Sequence, residues 1–282
     1  MFESLSLSTP AMTPEPYAIE PLDEVAFTRI RELIHHHAGI ALSAGKRQLV
    51  MGRLQQRLQQ RQLRRYRDYL RLIDEDPTER QQFIDRLTTN ESYFFREPAH
   101  FDYLRDTILP HYRQRPLRIW SAACATGEEV WSLAMELADA PGLGAWSLLG
   151  SDISSRVLEV ARKGLYPLER NQGIGQQRLQ RYCLKGVGEH AGRFLIKDAL
   201  LPRVRFAQIN LLSPPASIGH FDLIFLRNVL IYFDAATKTR VITQLLRHLN
   251  VGGHLIISHT ENLRQVAPER LKLVRSSIYR LE

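Results

Sequence analysis

Cysteine is scarce in this chain of 282 residues: Cys124 and Cys183 are the whole supply. Two thiols so far apart in sequence make no disulfide framework, and neither stands in a CxxC or Cys/His spacing suited to zinc, so a reducing, cytoplasmic setting is expected. Apolar runs approaching the ~18 residues needed to cross a bilayer are missing, which argues against direct membrane insertion. Lys and Arg are absent from residues 1–21, so the basic start of a secretory signal is lacking; the Ser, Thr and Pro there read as a disordered tail. Neither GxxxxGK[ST] nor GxGxxG occurs, which excludes the standard phosphate loop and dinucleotide fingerprint. Acid is rare in one place: from Lys46 to Arg71, Asp68 alone faces Lys46, Arg47, Arg53, Arg57, Arg61, Arg64, Arg65, Arg67 and Arg71.

What is present divides into two grammars. Residues 22–88 are helical in pattern. DEVAFTRIRELIHHHAG places Val25, Phe27, Ile30, Leu33 and Ile34 at helical spacing with Gly39 as a stop. A second helix is predicted over Lys46 to Gln62, with Leu49, Val50, Leu54 and Leu58 on one face, and shorter ones at Tyr66 to Asp74 and Pro77 to Leu87. Arg53, Arg57 and Arg61 recur every four residues and so share a stripe. Such runs are commonly just a solvated face; the sharper reading is a docking surface, because an uncompensated stripe repels itself until an acidic partner arrives. The net charge of +8 agrees with an acidic partner without choosing one. The three consecutive histidines His35, His36 and His37 point about 100° apart on a helix and cannot converge on one metal.

Residues 89–115 read as a linker, and from 116 to 282 short apolar runs alternate with helices. This argues for a parallel sheet with helices on both faces, closed by an antiparallel edge strand from KLVRSSIYRLE. An insertion at about 165–205 contains CLKGVGEHAGRFLIK, which reads as a small antiparallel ribbon with glycine turns.

The chemistry gathers at strand ends. In LRIWSAACATGEEVWS a strand runs into a small-residue turn before a helix that opens with Glu128 and Glu129. Small residues let backbone approach a ligand, and two acids favour a cationic or hydroxyl-bearing ligand over a pyrophosphate; both acids also suit the helix dipole. Asp152 ends the next strand about 20 residues or so beyond, where an acid accepts from ribose hydroxyls; it also suits a helix cap, as does Ser154. Asn210 ends QIN. Arg227, Asn228 and Tyr232 interrupt FDLIFLRNVLIYF, where polar groups need a partner, either a ligand edge or a backbone carbonyl. The set suggests S-adenosylmethionine rather than a nicotinamide dinucleotide.

The segments TTNESYFFRE, WSAACATGEE, SDIS, NLL and FLRNVLIYF, with the basic helices before them, closely resemble the CheR-type chemotaxis receptor methyltransferases over about Leu22 to Glu282. The resemblance implies a class I methyltransferase fold, a Rossmann-like doubly wound α/β sheet, with a small all-helical amino-terminal domain and an antiparallel β-subdomain. It implies methyl transfer from S-adenosylmethionine, leaving S-adenosylhomocysteine, to glutamates on the cytoplasmic coiled coil of chemoreceptors. Asn90, Ser92, Arg96, Glu129, Asp152, Asn210, Leu211, Arg227 and Asn228 are implied to contact the cofactor, with Arg96 and Tyr232 nearest the methyl and Arg53, Arg57 and Arg61 docking the substrate. Ser92 stands where many relatives have Thr and keeps the hydroxyl; Cys124 receives no role. In some members the β-subdomain takes a receptor's carboxyl-terminal peptide as an added strand.

In TTNESYFFRE, Asn90 and Ser92 are then expected to meet polar cofactor groups while Tyr93, Phe94 and Phe95 pack the seam between the two parts. A nucleic-acid methyltransferase is the first alternative, but no amino-group motif or catalytic cysteine context supports it and no nucleic-acid partner is expected. A noncatalytic cofactor-binding adaptor is the second, and the presence of both Arg96 and Tyr232 counts against it.

Overall fold

A computed structural model describes residues 18–264, 266 and 268–282. The expected disordered tail therefore lies outside the described residues except for 18–21. Four helices follow, α1 (Glu24–Ala38), α2 (Arg47–Gln60), α3 (Tyr66–Glu75) and α4 (Pro77–Leu87). Their ends are written locally. Asp23 accepts the Ala26 N–H at 2.7 Å to start α1, Gly39 at φ 73° stops it, and Asp76 with Pro77 starts α4. Phe27, Ile30, Ile34, Val50, Leu54, Leu58, Tyr69, Ile73 and Phe83 are fully buried between the helices. At about 1.5–3 kcal/mol for each large apolar side chain, this cluster outweighs any helix propensity.

Two apolar positions do not join that core. Val25 is exposed because the buried stripe of α1 runs through Ala26, Phe27, Ile30, Leu33 and Ile34, and Leu49 because that of α2 runs through Val50, Leu54 and Leu58. The arginine stripe is offset by one position from the buried one, so it lies at the core's edge. There it meets α4, and the expectation of an uncompensated stripe needs correction. Arg57 donates from Nε to Glu79 Oε1 at 2.9 Å and from Nη2 to Oε2, and Arg61 Nε donates to Oε2 at 2.7 Å. Glu79 is fully buried and also receives the Tyr69 hydroxyl at 2.9 Å. Burial works against its ionisation, but the arginine and tyrosine bonds outweigh it and hold the carboxyl below its ordinary range. Arg53 donates to the Leu87 and Thr88 carbonyls and to Thr89 Oγ1, at the end of α4. Arg57 and Arg61 are thus occupied within the fold, and Arg53 partly so.

The span 89–115 is more than a linker. It forms α5 (Pro98–Tyr103) and further helical turns, and Phe101, Leu104, Ile108 and Leu109 enter the core under the sheet. The main sheet holds seven strands: β1 (Leu117–Ala122), β2 (Trp146–Asp152), β6 (Val204–Gln208), β7 (Phe221–Leu226), β8 (Leu249–Ile257), β9 (Leu271–Arg275) and β10 (Ile278–Leu281). Their order is β6-β2-β1-β7-β8-β10-β9, parallel up to β8 and antiparallel beyond. The last segment is a hairpin, so β10 inserts beside β8 and β9 takes the edge. The turn is made at Ser277, φ 59°, in a run with no glycine to announce it. Flanking helices are α6 (Glu128–Asp139), α7 (Ser155–Lys163) and α9 (Ala235–Leu246).

The insertion carries α8 (Gln176–Tyr182) and a second sheet of three strands, β3 (Leu165–Pro167), β5 (Arg193–Ile196) and β4 (Cys183–Lys185), ordered β3-β5-β4. The expected ribbon is β4 with β5; β3, only three residues long and ending in proline, pairs on the other side of β5. No helix among the described residues is long and apolar enough to cross a membrane.

Several links seat the helical part on the sheet. Asp85 of α4 accepts the Ser155 N–H at 3.0 Å and its hydroxyl at 2.7 Å, capping α7 from another element. Ala41 N–H donates to the Tyr232 carbonyl at 2.9 Å, and Asn210 Nδ2 to the His37 carbonyl at 2.7 Å. The end of α1 is therefore held directly over the carboxyl ends of the strands.

Candidate active site

A cleft of about 930 Å³, counting its open mouth, lies where those strand ends meet the helical part. All of Asn90, Ser92, Arg96, Glu129, Asp152, Asn210, Leu211, Arg227, Asn228 and Tyr232 line it, residues drawn from five separate stretches of sequence. Open α/β sheets place their ligands at this end.

Its floor is the turn after β1. Ala123 (φ 63°), Ala125 (φ 49°) and Gly127 (φ 92°) are all left-handed, a strain of about 1–2 kcal/mol for each non-glycine residue that small side chains keep tolerable. Gly127 has a second reason: a Cβ there would meet Ala161 Cβ of α7 at 2.8 Å. Asp152 fixes this turn. One oxygen accepts the Ala125 N–H and the other the Ser154 N–H, each at 2.9 Å, so the helix-cap reading and the turn-fixing role coexist. Each oxygen keeps a lone pair that can accept a ligand hydroxyl. Burial raises the Asp152 carboxyl above its ordinary range, although those backbone bonds pull the other way.

The two acids that open α6 part company. Glu129 faces the cleft, accepting the Ser121 hydroxyl at 2.7 Å and Arg227 Nη1 at 3.0 Å. Glu128 is buried away from it and binds Thr126 and Arg170. Arg227, also buried, reaches the Arg96 carbonyl with Nη2 and lies 3.4 Å from Glu97 Oε2. Carboxylates and a carbonyl thus answer the need at both Nη atoms, while the buried Nε has no hydrogen-bond partner. Asn228 takes a left-handed conformation, φ 59°, in which its N–H donates to Glu261 Oε2 at 3.2 Å and its Nδ2 to Ser258 Oγ at 2.9 Å.

The wall nearest the helical part is TTNESYFFRE. Phe94 is buried against Tyr166 and Phe194 of the insertion and Phe95 against Phe101 of α5, so both join the core on the sheet side and do not form a seam with the helical part. Tyr93 is different: it is 51% exposed and lines the cleft, with the Arg96 guanidinium 5.2 Å from its ring centre. The seam expectation is corrected for this residue too; beyond it, Phe95 (φ 53°) and Glu97 (φ 59°) are left-handed. Those strained residues flank Arg96 and aim it, while its Nη1 donates to the Glu91 carbonyl at 3.2 Å. Asn90 Oδ1 accepts the Thr88 hydroxyl at 3.0 Å. Asn210 spends its amide on the His37 carbonyl and the Leu212 N–H, so its side chain builds the wall. Cys124 is buried and burial pushes its thiol well up, which leaves it no nucleophilic part.

The arrangement offers acids for hydroxyls and for a cation, and Arg96 for an anion at the mouth. Apolar sides come from Ile40, Ile153, Ile209, Leu211 and Phe233. Beside it runs a groove containing Arg53, Arg86 and Arg156, joined to the cleft through Thr88 to Glu91. Sequence reasoning missed Glu261 and Ser258, which hold Asn228. The polar SHTEN after the apolar strand HLIIS was the available signal, since it too falls at a strand's carboxyl end.

The family model described as "CheR methyltransferase, SAM binding domain" matches residues 90–280, and "CheR methyltransferase, all-alpha domain" matches residues 26–88. A chemotaxis protein methyltransferase of Klebsiella aerogenes is 41% identical over 88% of this chain and 86% of its own. Chemotaxis protein methyltransferase 2 of Pseudomonas aeruginosa is 42% identical over 84% and 86%, and a chemotaxis protein methyltransferase of Escherichia coli 40% identical over 92% of both chains.

Proposed function

Because this chain belongs to the CheR methyltransferase family and methylates with S-adenosylmethionine in chemotaxis, we propose that it esterifies glutamate side chains on the cytoplasmic helices of chemoreceptors. The observation that carries this reading is the convergence of Asn90, Ser92, Arg96, Glu129, Asp152, Arg227, Asn228 and Tyr232 on one cleft, with a basic groove at its side.

The cofactor supplies an electrophilic methyl group on a sulfonium. Asp152 fits its ribose hydroxyls, since both carboxylate oxygens are fixed by backbone N–H groups and keep free lone pairs. Glu129 offers negative charge, and the apolar walls suit a flat base. A glutamate has an ordinary pKa of about 4.3, so at neutral pH the acceptor is already ionised and needs no general base. What the protein must do is hold it in line. Opposite charges vanish during the transfer, so an intensely cationic site would favour the ground state over the transition state. A single arginine at the mouth, shielded by the Tyr93 ring, agrees with that requirement. Arg96 orients one carboxylate oxygen, Tyr232 shapes the other side, and positioning supplies most of the acceleration.

The acidic receptor coil docks in the groove of Arg53, Arg86 and Arg156, alongside the cleft. The outer edge of β4, where Leu184 is exposed, is suited to adding a receptor's carboxyl-terminal peptide as a fourth strand. Incubation with methyl-labelled cofactor and receptor-containing membranes tests the reading. Label on receptor protein that alkali releases as methanol is expected; label on nucleic acid, or alkali-stable label, would overturn it.

A further inference from the structure

Behind Arg227 lies a group of side chains that the cleft does not use. Glu97, His100 and His259 each offer one ligand atom, and these atoms lie within 4.8 Å of one another. They come from distant places, the turn before α5, α5 itself and the loop after β8.

The protonation of His100 follows from its surroundings. Its Nε2 is 2.8 Å from Ser277 Oγ, and that hydroxyl donates its one proton to the Ser276 carbonyl at 2.6 Å. With that proton committed, Ser277 Oγ can accept from His100 Nε2, and this tautomer leaves the Nδ1 lone pair available to a ligand. His100 is 2% exposed, and its Nδ1 is a buried atom with no hydrogen-bond partner.

That lone pair faces Glu97 Oε2 at 3.3 Å. Two acceptors confront each other, an arrangement that is unfavourable unless something positive lies between them. His259 Nδ1 is 3.5 Å from the same oxygen. The strong partners of Glu97 are elsewhere: Oε1 receives the Ser258 hydroxyl at 2.6 Å, whereas Oε2 has the His259 N–H at 3.3 Å and Arg227 at 3.4 Å. Arg227 in turn makes its closer bonds to Glu129 and the Arg96 carbonyl.

We propose that Glu97 Oε2, His100 Nδ1 and His259 Nδ1 form a binding site for one borderline divalent cation of the zinc or cobalt kind. The distances support it. Ligands at about 2.0–2.1 Å in a tetrahedron stand roughly 3.4 Å apart, close to the spacings of 3.3 and 3.5 Å at Glu97. The remaining edge closes by rotation of His259, whose side chain is 48% exposed. His100 donates its other ring N–H to a serine, the support that metal-bound imidazoles generally have. Two nitrogens and one carboxylate suit zinc or cobalt better than magnesium or calcium, and exposed His259 leaves a fourth position open to water. Glu97 and Glu129 together bring two negative charges against the one on Arg227, so a cation at Glu97 is not simply repelled.

The test uses the full chain without a histidine tag. Cobalt(II) and zinc chloride are titrated into it by calorimetry and visible absorption. One equivalent of cobalt should bind with the intense visible bands of a four-coordinate nitrogen–oxygen site, and zinc should displace it. His259→Ala, a surface change that leaves the fold intact by circular dichroism, should weaken binding by about 100-fold or more, since even a supporting residue costs about 10–100-fold. Glu97→Gln should do the same. Uptake by His259→Ala equal to that of the parent would overturn the site, as would a folded parent chain that takes up neither metal. Neither result depends on which substrate is methylated.

Discussion

Replacing Asp152 by Asn separates the architectural from the ligand-binding part of the cleft. Both Asp152 oxygens accept backbone N–H groups at 2.9 Å, from Ala125 on the strained turn and from Ser154 ahead of α7. Asparagine has one oxygen, so one N–H must confront an amide NH2. The lost bond and the unsatisfied buried donor together cost on the order of 2–3 kcal/mol in stability. A second cost falls on the ligand. A hydrogen bond to a charged acceptor contributes about 1.5–3 kcal/mol, and at 1.36 kcal/mol per tenfold this weakens S-adenosylmethionine binding by about 10- to 150-fold. Calorimetric titration of the cofactor, with urea denaturation run in parallel, reads the two costs separately. A folded Asp152→Asn chain that binds the cofactor as tightly as the parent would refute the assignment of Asp152 to the ribose. The pH dependence has a definite sign. The folded carboxyl titrates above its ordinary range, so below neutrality the ionised form is lost sooner than for an exposed aspartate, and affinity falls as pH drops through that raised value. The stability contribution of this carboxyl runs oppositely: its raised folded pKa makes ionisation a cost that is relieved as pH falls.

Other expectations follow the same geometry. Arg96→Ala should lower kcat by about 100-fold, the scale of a misplaced reactant, with a much smaller change in cofactor affinity; unchanged turnover in single-turnover assays would remove Arg96 from the methyl site. Glu79→Ala strands Arg57 at the core's edge and should cost about 3 kcal/mol, below the upper figure for a buried pair because Arg61 is 38% exposed. Urea denaturation checks it, and a loss under about 1 kcal/mol would show that the pairing is not what holds α2 to α4. Gly39→Ala places a Cβ at 2.8 Å from Thr237 Cγ2 at a left-handed position. It should cost about 1–2 kcal/mol and raise the cofactor dissociation constant, because the end of α1 forms part of the cleft.

Much of this was legible from local signals. Asp76 and Pro77 give the start of α4 to the residue, and Gly39 gives the end of α1, because caps are written within a few positions of each other. Asp152, Asn210, Arg227, Asn228 and Tyr232 were legible because they interrupt or follow apolar strands, and parallel strands deliver their ends to the same side; Asn90, Ser92, Arg96 and Leu211 came only from the family resemblance. What was hidden depended on docking between distant segments. Glu79 lies outside the stretch in which acids were counted, yet α4 brings it onto Arg57 and Arg61. Tyr93 follows the aromatic pattern of its neighbours, yet it faces the cleft while Phe94 and Phe95 are buried. The β9–β10 hairpin was hidden because its turn uses serines, and β3 because three residues carry too little periodicity.

The bond from Asn210 to the His37 carbonyl means that the cleft has no complete wall until α1 has settled on the sheet. Donor affinity thus becomes a gauge of how firmly the two parts of the molecule are joined.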